Sequence, residues 1–225
     1  MGIGNGGPAY GVGYEETTAS SLVRIDIEGN VLHPGFARQT YARGKVNKAG
    51  FIVHSAVHRA RPDIHVALHT HDENAIAVSC SPQGLLPVGQ ANYSCGDVTY
   101  HDYAGVAVLP AERETLVQDL GPKSMCMFLR NHGTLVCGES IGDCMIRCYY
   151  LHKACEQQVK AATLAAAQEG VMILPPTEVV ELARAQTEAF DTDGEGEASK
   201  ASDVFLKQWI FHLRQLVESD PKFMA

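Results

Sequence analysis

Basic residues, tryptophan and long apolar runs are all scarce in this sequence. Its 225 residues carry 18 Lys and Arg against 26 Asp and Glu, a formal net charge of −8, and no stretch concentrates the basic ones. That balance argues against a nucleic-acid binder or a protein held by charge to an anionic membrane. No run approaches the roughly 18 consecutive apolar residues of a spanning helix. Residues 1–8 (MGIGNGGP) lack the basic-then-apolar order of a secretory signal. No Cys-x-x-Cys pair is present, so neither a zinc knuckle nor a dithiol redox site is indicated. The seven cysteines are an odd number in a chain without an export signal, so reduced thiols in the cytoplasm are expected rather than a disulfide framework. The length fits one globular domain over residues 1–225.

The same sequence is rich in histidine, with ten, and in those cysteines. Cys144, Cys148 and Cys155 follow one another at i, i+4 and i+11, one face of a helix. They are expected as small buried apolar residues, not ligands.

Residues 1–16 hold six glycines and a proline and read as a loop or short edge element. Residues 21–27 alternate as a strand and run into a turn at Glu28-Gly29-Asn30. A helix over 51–60 ends before Arg61-Pro62, and a short buried strand follows at 66–69. Asp72 is placed to cap a helix over 73–79. Short apolar runs at 85–88, 98–100, 106–109 and 125–129 read as strands of one sheet, with a helical stretch at 113–120. A long alanine-rich helix is predicted over 141–167, between Gly142 and Gly170. Residues 191–200 (DTDGEGEASK) read as an acidic flexible loop. Residues 204–217, with the single Trp209, read as a C-terminal docking helix whose aromatic face suits a neighbouring subunit. Interleaved strands and helices give an α/β fold, with α+β as the alternative, built on a mixed central β-sheet layered between helices.

His69-Thr70-His71 sits at the end of a predicted buried strand. In extended backbone, residues i and i+2 point to the same side, about 6–7 Å apart, so both imidazoles can converge on one ion. A third is available at Asn131-His132-Gly133, after another apolar run. Three neutral imidazoles with an open position suit a catalytic zinc. On spacing alone, a chance pair in a His-rich chain is an equal reading.

The ordered run Val53-His54-Ser55-Ala56-Val57-His58, Arg61-Pro62-Asp63, His69-Thr70-His71, and Asn131-His132-Gly133 followed by Gly138 resembles the class II aldolase/adducin family over about residues 8 to 165. The resemblance implies a mixed sheet between helices and one Zn2+ per chain, held by His69, His71 and His132. It further implies a homotetramer and an aldehyde-lyase of the L-fuculose-phosphate-aldolase type. Such an enzyme cleaves a carbon–carbon bond in a small hydroxy-carbonyl or sugar-phosphate substrate through a metal-stabilised enediolate. Two alternatives stay open: an adducin-like interaction module without catalysis, and a decarboxylase or dehydratase of the same family.

The sequence departs from that pattern in two places. The glutamate that serves the sugar-phosphate aldolases as acid/base is replaced by Gly50, which can move no proton. Glu73, His101 and His54 are the candidate catalytic substitutes, each with an ordinary alternative: a solvated first-turn acid, a loop residue and a helix-face residue. The Gly-Asn-hydrophobic-Ser phosphate segment is also missing. Thr18, Ser20 and Ser21 could receive an anion instead, or simply form a turn leading into the strand.

Overall fold

The computed structural model describes residues 5–7, 16–36, 44–102, 110–168, 170–189 and 201–219. They cluster into two compact units, residues 1–62 with 104–118, and residues 63–103 with 119–225. Among the described residues no helix is long and apolar enough to cross a membrane.

The first unit contains a three-stranded antiparallel sheet of β1 (Asn5–Gly7), β2 (Val23–Ile25) and β3 (Val31–His33), in the order β1-β2-β3. Only Val23 and Ile25 of β2 are buried, and they pack with Val46 and Phe51 into a small core. The turn after β2 is tied by Asp26, whose carboxylate accepts the backbone N–H groups of Glu28 and Asn30. Helix α1 (Lys48–Ala60) begins three residues earlier than its periodicity suggests and stops before Arg61-Pro62 as expected.

The second unit is built on a mixed sheet in the order β4-β7-β6-β5: β4 (Val66–Thr70), β5 (Val98–His101), β6 (Cys126–Leu129) and β7 (Gly133–Gly138). The β4/β7 and β7/β6 pairs are antiparallel and β5/β6 is parallel. Every residue of β6 and β7 is buried, as inner strands covered on both faces require. This is the expected mixed α/β sheet flanked by helices. Helix α2 (Glu73–Ser79) is capped by Asp72, whose Oδ1 accepts Ala75 N–H at 2.9 Å.

The long helix over 141–167 is observed as α5 (Ile141–Ala166), with Ser140 as N-cap and Gly170 closing its end at φ 77°. Val66 and Leu68 of β4, Val98 and Tyr100 of β5, Phe128 and Val136 pack with the α5 face bearing Cys144, Cys148, Leu151 and Cys155. The cysteines are therefore packing residues, as their spacing predicts. All seven thiols are free and only Cys80 is exposed. Burial raises the pKa of Cys95 to about 12 and of Cys148 to about 11, and pushes Cys126, Cys144 and Cys155 up as well.

Several local readings differ. Residues 85–88 form no strand, because Leu85 N–H donates to the Tyr100 hydroxyl and Leu86 N–H to Gln158 Oε1, side chains in place of a strand ladder. Two helices were not anticipated, α3 (Gln90–Ser94) and α6 (Thr177–Ala189). The stretch at 113–120 belongs to α4 (Pro110–Leu120), and the terminal helix is α7 (Ala201–Ser219). Part of the aromatic face of α7 packs inside its own chain, with Trp209 over Gly142, where a Cβ would lie 2.9 Å from the indole. Phe205 is 4% exposed beneath the Arg147 guanidinium. Leu206, Ile210 and Phe211 are exposed. The strand expected at 106–109, the loop at 191–200 and most of the segment 1–16 lie outside the described residues.

Candidate metal centre

The centre is assembled where β4 ends and β7 begins. Thr70 pairs with Thr134 across the two strands, and Thr70 turns toward α5, so His69 and His71 turn to the opposite side. His132 comes from the three-residue connection between β6 and β7, held by its own N–H donating to Leu129 O at 3.0 Å. Asn131 occupies the left-handed region, φ 59°, which asparagine tolerates better than other side chains. The connection is fastened to the end of α2. Asn131 N–H donates to Ser79 Oγ at 3.0 Å, its side-chain amide to Cys80 Sγ at 3.0 Å, and Arg130 to the carbonyls of Ser79 and Ser81.

These constraints bring three Nε2 atoms together: His69 to His71 2.9 Å, His69 to His132 3.1 Å, and His71 to His132 3.2 Å. They are the only group of three or more potential ligands so clustered among the described residues. His69 Nδ1 lies 2.9 Å from the Thr134 carbonyl, which can only accept, so Nδ1 carries the hydrogen and Nε2 presents its lone pair. Burial pushes the His69 pKa down to about 4 and lowers that of His132, which keeps both rings neutral near neutral pH. With the His71 and His132 Nε2 atoms also bare, three lone pairs would converge and would repel one another unless a cation lay between them. Donors about 2.0–2.1 Å from a tetrahedral zinc stand about 3.3 Å apart, close to the observed triangle. The donor set fits a divalent transition metal with imidazole preference.

The other expected residues are distributed differently. Glu73 is exposed in the first turn of α2, two residues beyond His71. His101 ends β5 on the same face of the sheet as His69, but three strand spacings away, about 14 Å. It is 3% exposed, its Nδ1 is 2.7 Å from Asp119 Oδ2, and its Nε2 has no hydrogen-bond partner among the described residues. His54 and Gly50 lie on α1 in the first unit. Thr18, Ser20 and Ser21 are in that unit too, and their hydroxyls are engaged in one local turn. Thr18 Oγ1 is 3.1 Å from Ser20 Oγ, and Ser21 Oγ donates to Thr18 O at 2.7 Å. A residue that periodicity did not single out, His152 of α5, reaches Thr70 Oγ1 at 2.9 Å. The only hint of it in the sequence is its i+4 spacing from Cys148, on the face that α5 turns to the sheet.

Residues 8–159 match the protein family described as Class II Aldolase and Adducin N-terminal domain. An adducin-related protein of Schizosaccharomyces pombe is 35% identical over 214 residues, 95% of this chain and 63% of that relative, so the chain spans under two thirds of its length. An aldolase II superfamily protein from Pseudomonas syringae superposes with a TM-score of 0.80 at 34% identity, covering 97% of this chain and 80% of the other. L-fuculose 1-phosphate aldolase from Glaciozyma antarctica does so with a TM-score of 0.71 at 25% identity, covering 94% and 75%.

Proposed function

Because this chain belongs to the family of class II aldolase and adducin N-terminal domains, we propose that it is a zinc-dependent lyase of the L-fuculose-phosphate-aldolase kind. It would cleave a carbon–carbon bond in a small hydroxy-carbonyl or sugar-phosphate substrate. The observation that carries this reading is the triangle of His69, His71 and His132 Nε2 atoms, none more than 3.2 Å from another.

Retro-aldol cleavage leaves an electron pair on the carbon beside the carbonyl and removes the proton of the departing hydroxyl, so it needs an electrophile and a base. A zinc ion, when bound, supplies Lewis-acid stabilisation of negative charge on the substrate oxygens. His69, His71 and His132 would hold it as neutral ligands, leaving its charge undiminished. The Thr134 carbonyl holds the His69 ring with Nε2 bare. Of Glu73, His101 and His54, Glu73 is the candidate that follows a ligand by two residues, and its carboxylate would accept the hydroxyl proton. Among the described residues a would-be Cβ at Gly50 meets only the Asn47 side chain, at 3.9 Å. Packing against the described neighbours therefore does not demand a glycine there, and its lack of a carboxylate means that another group must serve as the acid/base of a lyase. It also keeps an adducin-like interaction module, or a decarboxylase or dehydratase, as the second reading.

Purified protein is expected to carry about one divalent ion per chain, and the triple variant His69→Ala, His71→Ala, His132→Ala to carry none. With ketoses and ketose phosphates as substrates, aldehyde release is expected to fall at least about 100-fold on chelation. Elemental analysis of the preparations with this assay decides the matter. A metal-free wild type removes the lyase and leaves the interaction module.

We further propose a homotetramer in the cytoplasm. Exposed Leu206, Ile210 and Phe211 on α7 support assembly, and seven free thiols suit a reducing compartment. Light scattering at micromolar concentration is expected to give four times the mass of one chain, and a monomer would refute it.

A further inference from the structure

Behind the histidine triangle, on the side of β4 that faces α5, runs a second set of polar contacts. Thr70 Oγ1 lies 2.8 Å from Thr134 Oγ1 and 2.9 Å from His152 Nε2. His152 is half-buried beside Cys148, whose sulfur is 3.6 Å from Nε2 and 3.9 Å from Nδ1. Thr134 is the junction of the two sides: it is fully buried, its hydroxyl meets Thr70, and its carbonyl accepts the His69 Nδ1 hydrogen.

Thr70 is the last residue of β4, which among the described residues is an edge strand paired only with β7. Strand ends at a sheet edge fray unless they are tied. Thr70 also lies between two ligands, His69 in the strand and His71 just beyond it, so the direction of its side chain determines where His69 and His71 point on the other face. A bond from α5 to Thr70 therefore holds both imidazoles.

We infer that His152 is a positioning residue for the metal centre, anchoring Thr70 to α5 so that the Nε2 atoms of His69 and His71 stay converged on His132. The inference rests on the metal reading above. A purely structural role differs in its consequence. With the imidazole removed, the Thr70 hydroxyl still meets Thr134, so folding loses little while the aim of two ligands is loosened. Residues that orient metal ligands from behind are worth about 10–100-fold in metal affinity.

The test titrates Co2+ into metal-free protein, following visible ligand-field absorption, for wild type, His152→Ala and His152→Gln, with His69→Ala as reference. Thermal unfolding of each metal-free protein is recorded alongside. His152→Ala is expected to bind Co2+ about 10–100-fold more weakly and with an altered absorption band, at an unfolding midpoint within a few degrees of wild type. His152→Gln, whose amide can still reach Thr70, is expected to recover most of the affinity. Thr70→Val removes the hydroxyl at nearly constant size and Thr70→Ser keeps it, and only Val is expected to weaken binding, even if His152→Ala fails to fold. Affinity within twofold of wild type for both His152→Ala and Thr70→Val overturns this inference while leaving the metal site intact. A wild type that binds no Co2+ overturns the metal reading and this inference with it.

Discussion

Replacing Asp143 with alanine is expected to destabilise the protein by about 3–5 kcal/mol, the cost of leaving one member of a buried ion pair without its partner. The Asp143 carboxylate is 2% exposed. Its Oδ1 accepts from Arg147 Nε at 2.8 Å and its Oδ2 from the Glu139 backbone N–H at 3.0 Å. It stands in the first turn of α5, where the helix dipole favours a negative charge. Arg147 has only 17% of its side chain exposed and lies over the Phe205 ring, so without the carboxylate its charge sits against an aromatic surface with little water. Asp143→Asn keeps an acceptor for Glu139 and removes only the charge, so its loss is expected to be smaller. Urea unfolding of the three proteins measures the order. A loss under about 1 kcal/mol for Asp143→Ala would show that Arg147 escapes to solvent.

Gly133→Ala is expected to cost about 3 kcal/mol or more and, in the same step, to weaken metal binding. A Cβ on residue 133 would lie 2.2 Å from the Thr70 carbonyl oxygen and 3.1 Å from the His71 ring. The nearer atom is backbone of the paired strand, so relief requires β4 to move from β7 where the ligands are held, and overpacking of this kind costs at least a few kcal/mol. Unfolding midpoint and Co2+ affinity are expected to fall together. A variant with wild-type values for both would mean that the strand ends separate freely. His152→Ala is its counterpart, since it is expected to loosen the ligands and leave the fold nearly unchanged.

The glycine at 133 also explains why part of the fold was hard to read. The β7 segment Gly133–Gly138 is wholly buried, yet its bracketing glycines resemble loop punctuation. Both are required by close approach. Gly138 passes where a Cβ would be 2.6 Å from the Cys144 nitrogen, and no local pattern encodes that. His69 and His71 were legible because a period of two is a property of the strand itself, and Asp72 because a cap acts within one turn. His132 was found by its motif. His152 escaped because its partner, Thr70, is 82 residues away. Residues 85–88 misled because apolar character indicates burial and leaves open where the backbone hydrogen bonds go. His101 was a candidate as a titratable side chain, with a loop as the alternative, but its place at the end of β5, three strands from His69 in the sheet, follows from strand order, which composition does not carry.

The thiol layer gives the folded chain a chemical asymmetry. Of its seven sulfurs, Cys80 alone is open to a water-borne electrophile, while five of the six buried ones are held in the unreactive protonated form. Five of those six line the contact between α5 and the sheet. Modification of any of these five requires this layer to part, so its progress counts openings of the protein and serves as a clock for its breathing, independent of any reaction at the histidines.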